Sequence, residues 1–476
     1  MTREDLELKA RRICEEALRR SIPSEEEKRR TLEFTEELAG RLEKELERAG
    51  FEAEVQVEGS IAKDTWLAGE KDIDLFTLIP KTYGREAFDV VLEVARKVAG
   101  ENALEAYAEH PYIQAKIDGF IVDFVPSFKL EKAEEAVSSV DRTPFHTLYV
   151  KERLTPEAKS EVRLLKRFMR GIGTYGAEIK VGGFSGYLCE VLTLYYGGFL
   201  KLIKAACDWS EGVLADLEGH YRGREKKARE IFQEPLIVID PVDKGRNVAS
   251  AVGIGKLSEF IAASREFLTD PSLSFFYPSD AEAYSLEELS GAMRSRGSAL
   301  VFLKTGVVRA VPDVLWGQLY KSQRALRNLI RRHKFTVIRD DVWSDEEVAT
   351  VFLFELHSRS LPAVEKHLGP PVRKKDDCER FLEKHLGSEQ SMSGPRIEGD
   401  RWVVERKRKY TDIADLLGQE LRDRRGNAGI ASLVSEALSS SFSVLINAEI
   451  AEFYSENPGF ASFLTRYLGG KPGWLG

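Results

Sequence analysis

The hydrophobic period changes at Phe51, and this constrains the fold more than any other feature of the chain. Up to Gly50 the residues form two helical segments with acids and bases alternating along a solvated surface, and Ser24 with Glu27 makes a capping box for the second. Beyond it, EAEVQV (52–57) alternates as a half-buried strand and DIDLFTLI (72–79) reads as a more buried one. YIQAKI (112–117) and FIVDFV (120–125) complete a set of short strands, and helical periodicity fills 85–99 between them. Residues 1–150 therefore predict an α+β domain on a small mixed sheet.

From Thr155 the pattern turns helical, through PEAKSEVRLLKRFMRG and a core helix over 183–209, then a strand at EPLIVIDP and a helix from about 247 to 268. Residues 151–270 predict a mainly helical central domain. From 271 to 476 strand signals (SLSFFYP, ALVFLKTG, KFTVIRD, ATVFLFEL) alternate with helical ones (VLWGQLYKSQRALRNLIRRH, LPAVEKHLG), which predicts an α+β tail. The whole is an α+β multidomain chain, and 476 residues are ample for several cores.

Composition excludes several classes. The four cysteines, Cys14, Cys189, Cys207 and Cys378, form no CxxC pair, which leaves neither a disulfide framework nor a structural zinc site. Together with a charged N-terminus that has no apolar core, they predict a cytoplasmic protein. The stretch 181–200 has the length of a membrane span, but its five glycines and Glu190 read as a buried helix entered through a glycine turn, so no membrane is expected.

Chemistry concentrates in GSIAKDTWLAGEKDIDLF (59–76). Asp72 and Asp74 stand at i and i+2 on a predicted strand, so both carboxylates project from one face while Ile73 and Leu75 enter the core. Two like charges that close call for a cation, and hard oxygen donors suit Mg²⁺. Gly59-Ser60 ends the preceding strand, where a glycine lets backbone N–H groups and a hydroxyl approach phosphate oxygens. Asp123 stands alone among apolar neighbours in FIVDFV. Each piece alone reads as an ordinary turn or strand end. Together, in this order, they describe a two-metal phosphoryl-transfer site with two Mg²⁺ ions.

The pattern Gly-Ser, eleven residues, Asp-x-Asp, then a later strand aspartate resembles the DNA polymerase β-type nucleotidyltransferases. The fuller string, followed by VDFVPSF, DRTPFHTLYV, GTYGAEIKVGGFSGYLCEVL and IDPVDKGRNVASAV, resembles the archaeal (class I) CCA-adding tRNA nucleotidyltransferases over about residues 31–267, and IEGDRWVVERKRKYTD resembles a tail segment of the same family. The resemblance implies a polymerase β-like catalytic sheet, a nucleotide- and substrate-binding central domain, and a tRNA-binding body and tail. It implies that Asp72, Asp74 and Asp123 bind metal, that Ser60 and Lys63 contact the incoming triphosphate, and that Thr143, His146, Lys166 and Tyr175 add further nucleotide contacts. Arg246 matches the arginine that, with the RNA backbone, reads the edge of CTP or ATP. Taken without the resemblance, His146 reads as an ordinary surface or core histidine and Arg246 as a surface arginine at a helix start. Leu148 stands where the family would place a basic residue.

The implied function is template-independent addition and repair of the 3′-terminal CCA of tRNA. The alternatives are another RNA nucleotidyltransferase, such as a poly(A) polymerase or oligonucleotide synthase, or an inactive RNA-binding relative. The net charge of −8 argues against a nucleic-acid partner, but its distribution reverses that inference. Residues 301–340 carry nine bases against two acids, a net +7. Within them Tyr320, Arg324, Arg327 and Arg331 fall on one helical face opposite Leu315, Leu319, Leu326 and Ile330. That face, with Arg401 and Lys407 in a second basic cluster around Trp402, is expected to meet the RNA backbone. A homodimer is among the expected assemblies.

Overall fold

The computed structural model describes residues 2–107, 110–136, 138, 140–279, 282–423 and 429–475. They divide into two compact units, Met1–Asp280 with Lys471–Gly476, and Ala281–Gly470.

In the first unit α1 (Arg3–Ser21) and α2 (Glu25–Arg48) precede a five-stranded sheet of order β1-β2-β5-β4-β3. Its strands are β1 (Glu54–Glu58), β2 (Asp72–Pro80), β3 (Ala103–Tyr107), β4 (Pro111–Ile117) and β5 (Phe120–Lys129). The short α3 (Gly59–Lys63) follows β1, and α4 (Ala87–Ala99) joins β2 to β3. Only β2 and β5 run parallel; the other neighbours are antiparallel, which makes the sheet mixed as its patterning predicts. Leu38, Leu42 and Leu46 of α2 and Val91, Leu92 and Ala95 of α4 bury against Ile73, Leu75, Val122 and Phe124. That packing leaves the carboxylates of β2 and β5 on the opposite face.

The helical part follows as α5 (Thr143–Arg153), α6 (Pro156–Gly171), α7 (Gly186–Tyr196) and α8 (Phe199–Ala206). The helix expected over 183–209 is two, because Gly197 and Gly198 take φ of 71° and 124°, which only glycine adopts without strain. A three-stranded sheet, β6 (Val213–Asp216), β7 (Leu236–Asp240) and β8 (Asp243–Asn247), carries α9 (Glu225–Ile231) between its first two strands, and α10 (Ile254–Thr269) closes the core. Although first in sequence, α1 packs here: Ala10, Cys14 and Ala17 join Phe168, Leu188, Phe199 and Phe260. Arg246 lies on β8, not at a helix start, since the chain turns back at Pro241-Val242 to pair with β7.

SLSFFYP forms no strand. Leu273–Phe275 makes one 3₁₀ turn between Pro271 and Pro278, and Phe275 and Phe276 bury among Phe168, Phe267 and Trp474 instead of pairing at an edge.

The second unit holds α11 (Leu286–Arg296), β9 (Ala299–Gly306), α12 (Pro312–Arg332), β10 (Val337–Ser344) and β11 (Ala349–Leu356). With β15 (Phe442–Ile446) the strands form a sheet of order β10-β11-β9-β15. A separate sheet, β12-β14-β13, comprises β12 (Val364–Pro371), β13 (Ser391–Glu398) and β14 (Arg401–Lys407) under α13 (Lys375–His385). Here LPAVEKHLG, expected as helix, is the strand β12. Its EKH triplet suits a period of two as well: His367 lies against Phe381 of α13, while Lys366 pairs with Glu398 across the sheet. No helix among the described residues is long and apolar enough to cross a membrane.

Candidate active site

Parallel pairing of β2 with β5 sets Asp74 directly opposite Asp123, and Asp72 opposite Ile121. Because side chains alternate along a strand, Asp72, Asp74 and Asp123 share the face that α2 and α4 do not cover. Burial pushes the Asp123 carboxyl up to about 6, the bond from Gln114 Nε2 (2.8 Å) opposes this, and the charges of Asp74 and Asp72 add to it. Burial also raises Asp74 and Asp72. Glu58 is the register partner of Asp74 on β1; it is buried, its Oε2 has no hydrogen-bond partner, and burial pushes it up to about 7.

Gly59 takes a φ of 67°, and a Cβ there would lie 1.9 Å from Asp74 Oδ2. Glycine is thus required twice over: for the left-handed backbone, and for room beside the carboxylate. No three His, Cys, Asp or Glu side chains are already gathered around one point among the described residues. The acids stand on one face, with their protons bound more tightly than usual. All-oxygen donors that repel one another and have room at Gly59 fit a hard divalent cation that would draw them together.

Ser60 is half-buried at the start of α3. The loop after it is clamped by α6. Arg163 Nη2 donates to Asp64 O (2.8 Å), Nε donates to Trp66 O (3.0 Å), and Lys166 Nζ donates to Thr65 O and Oγ1, both at 3.1 Å. Lys63 and Lys166 converge on Glu190, a carboxylate with no exposure. Lys63 Nζ donates to Oε2 at 2.6 Å, Thr65 Oγ1 donates to Oε1 at 2.7 Å, and Lys166 Nζ lies 3.7 Å from Oε1. Burial alone would raise Glu190, but the two ammonium charges hold it below the usual carboxylate range. The single charge in an apolar stretch is therefore the anchor of two lysines, and its isolation in the sequence was the signal for it. Tyr175 sits close by, with the Arg170 guanidinium 5.0 Å above its ring.

A second constellation involves Asp240, at the end of β7. His146 Nε2 donates to its Oδ2 at 2.9 Å, and Arg246 Nη1 donates to the same oxygen at 3.1 Å. Tyr187 Oη and Val242 N donate to its Oδ1, both at 3.1 Å. The imidazole of His146 stacks on Tyr187 with centroids 4.1 Å apart. Burial lowers the His146 pKa, and the Asp240 bond only partly restores it. Thr143 begins α5, half-buried, three residues before His146, and Leu148 is exposed on the same helix. Neither Asp240 nor Tyr187 was singled out from the sequence. A carboxylate closing the apolar run LIVID carried the same signal as Asp123 in FIVDFV.

The basic residues of the second unit are placed separately. Arg324 and Arg331 are exposed on α12, whereas Arg327 is half-buried with Nη1 3.3 Å from Asp340 Oδ1. Arg401 and Lys407 are exposed at the two ends of β14, with Arg401 Nε donating to Gly369 O at 2.9 Å. Their neighbours Arg406 and Arg408 pair with Glu365.

Three family models match the chain: a nucleotidyltransferase domain over residues 37–146, the second domain of tRNA nucleotidyltransferase over 160–277, and the C-terminal domain of CCA-adding enzyme over 296–447. The CCA-adding enzyme of Methanosarcina barkeri is 39% identical over 91% of this chain and 93% of its own. That of Methanothermobacter thermautotrophicus is 38% identical over 85% and 88%, and that of Haloarcula marismortui 35% identical over 95% and 97%. Among solved structures, the Cid1 poly(U) polymerase aligns over 55% of this chain and 94% of its own with a TM-score of 0.42 and 16% identity, too loose a likeness to build on.

Proposed function

The chain belongs to the CCA-adding enzyme family, and from that membership we propose that Asp72, Asp74 and Asp123 hold two Mg²⁺ ions while the His146–Arg246 side receives CTP and then ATP. The protein is a template-independent RNA nucleotidyltransferase that adds and repairs the 3′-terminal CCA of tRNA. Residues 1–150 are the catalytic domain of this reading, 151–270 the nucleotide- and substrate-binding domain, and 271–476 the tRNA-binding body and tail. The observation that carries the site is the parallel register of Asp74 with Asp123.

When bound, the metal pair supplies a primer 3′-hydroxyl acidic enough to attack the α-phosphate and charge neutralisation for the pyrophosphate that leaves. The chain's own residues supply position. Gly59 and Ser60 offer backbone and hydroxyl beside Asp74, where a phosphate oxygen can approach. Lys63 sets an ammonium against the Glu190 carboxylate, and Lys166, whose pKa burial lowers, lies beside the same group, which gathers basic side chains on the side where the triphosphate would sit. Arg163 and Lys166 fix the loop between α3 and β2, which keeps Ser60 and Asp72 in register through a catalytic cycle. Arg246 presents the donors that Asp240 leaves free to a base edge.

Asp74→Ala should abolish nucleotide incorporation while tRNA binding, read by gel shift or anisotropy, stays within about twofold of the parent. Retained incorporation would remove Asp74 from the metal site. Lost tRNA binding would mean that the substitution disrupts more than the chemistry.

A further inference from the structure

Asp240 has no exposed surface, yet it remains a charged group at the end of an otherwise apolar strand. Burial raises its pKa, but the bonds from His146, Val242 and Arg246 more than offset this and keep it ionised. Its four partners come from α5, α7, β8 and the β7–β8 turn, and every one is a donor. A neutral or donating side chain could not satisfy that set. Two of the donors, His146 and Arg246, are residues that the proposed function places around the nucleotide, while Asp240 lies behind them with no access to it.

We propose that Asp240 is a positioning residue for base selection, acting by fixing the Arg246 guanidinium. The inference rests on the reading that Arg246 meets the base. Arginine has donors only. Cytosine N3 and adenine N1 are acceptors, whereas the corresponding ring nitrogens of uracil and guanine carry hydrogens. A guanidinium locked with a donor aimed at that ring nitrogen meets an acceptor in C and A, and a hydrogen in U and G. The same guanidinium, free to swing, would slide to the carbonyl oxygens of U or G and bind them too. Selectivity then depends on the lock as much as on the fork. One Nη1 bond to Asp240 provides it, and the side chain of Arg246 keeps 32% of its surface exposed for the remaining donors.

Asp240→Asn separates the partners. Its carbonyl oxygen can serve Val242 N and Tyr187 Oη, which turns the amide NH₂ toward His146 and Arg246. His146 can move its proton to Nδ1 and accept from that NH₂; Arg246 has no acceptor and is released. The experiment measures kcat/KM for the first incorporation onto tRNA lacking its CCA, with CTP and with UTP, for the parent, Asp240→Asn, Arg246→Ala and the double variant. The expected result is a CTP-over-UTP ratio about tenfold lower in Asp240→Asn, and no further loss when it is added to Arg246→Ala. A ratio unchanged in Arg246→Ala overturns the base-reading role of Arg246 itself. A ratio that falls in Arg246→Ala but not in Asp240→Asn, or that falls further in the double variant, overturns the role of Asp240. Should Asp240→Asn not fold, Asp240→Glu keeps the charge but displaces it by one methylene. The ratio should fall there as well, and an unchanged ratio with the carboxylate displaced would contradict the proposal.

Discussion

Asp123, proposed above as a metal ligand, works against the stability of the metal-free fold. Its folded pKa of about 6 lies above the ordinary carboxylate value, so ionisation costs free energy in the native state wherever the pH exceeds 6. As the pH falls from 6 toward 4 the native state takes up the proton first and that cost is relieved. Asp123→Asn keeps an acceptor for Gln114 and removes the charge, so it should stabilise the metal-free protein by about 1–2 kcal/mol at pH 7.5 and by nothing measurable near pH 4. The same variant should be inactive. Thermal melts with a chelator at the two pH values check this; a destabilised variant at pH 7.5 would contradict the raised pKa. Asp72, Asp74 and Asp123 were legible in the sequence because a carboxylate inside a strand's apolar alternation has no packing reason to be there. Asp240, closing an apolar strand, and Glu190, the one charge on the apolar helix α7, are out of place in a similar way. Several of their partners lie far along the chain, His146 94 and Tyr187 53 residues from Asp240 and Lys63 127 residues from Glu190, and no local pattern encodes which histidine or lysine will arrive.

At the scale of elements, period and glycine placement predicted β1, β2, β4, β5 and α4 to within a few residues. Failures came where packing partners decided the outcome. SLSFFYP has the composition of a strand, but two prolines bracket it and an aromatic core receives it. VEKHL suits either period, and the β13–β14 hairpin beside it settles the choice. The face of α12 illustrates both sides: its apolar stripe buries as expected, but only two of its three arginines are exposed. Arg324→Ala with Arg331→Ala should weaken tRNA binding and lower the salt slope of log Kd by about 1–2 without altering the melt. An unchanged salt slope would remove that face from the RNA interface. Glu355 on β11 is the buried counterpart, bonded by Arg296, Arg339 and Ser298. Burial opposes its ionisation, and these bonds overcome the opposition to bring its pKa down to about 2. Its stabilisation is complete above the unfolded value near 4.5 and is lost as the pH falls toward 2. Glu355→Gln should therefore destabilise the Ala281–Gly470 unit by about 3 kcal/mol at pH 7, and by progressively less below pH 4. A penalty independent of pH would assign the loss to packing.

For the molecule as a whole, a net charge of −8 hides an uneven distribution. The N-terminal 60 residues carry 17 acids and 12 bases, whereas 301–340 are strongly basic. Similarity at 35–39% identity over most of the chain shows the family, and the register of two strands is the observation from which we propose the place of its chemistry. The central claim is addition of a defined sequence without a template. It is tested most directly by incubating the protein and Mg²⁺ with three tRNA substrates, ending before the first C, after one C and after both, and with labelled CTP and ATP supplied singly and together. The account predicts C, C and A added in that order, followed by arrest at the complete end. An open-ended tail of A, or no incorporation onto any of the three, would contradict it.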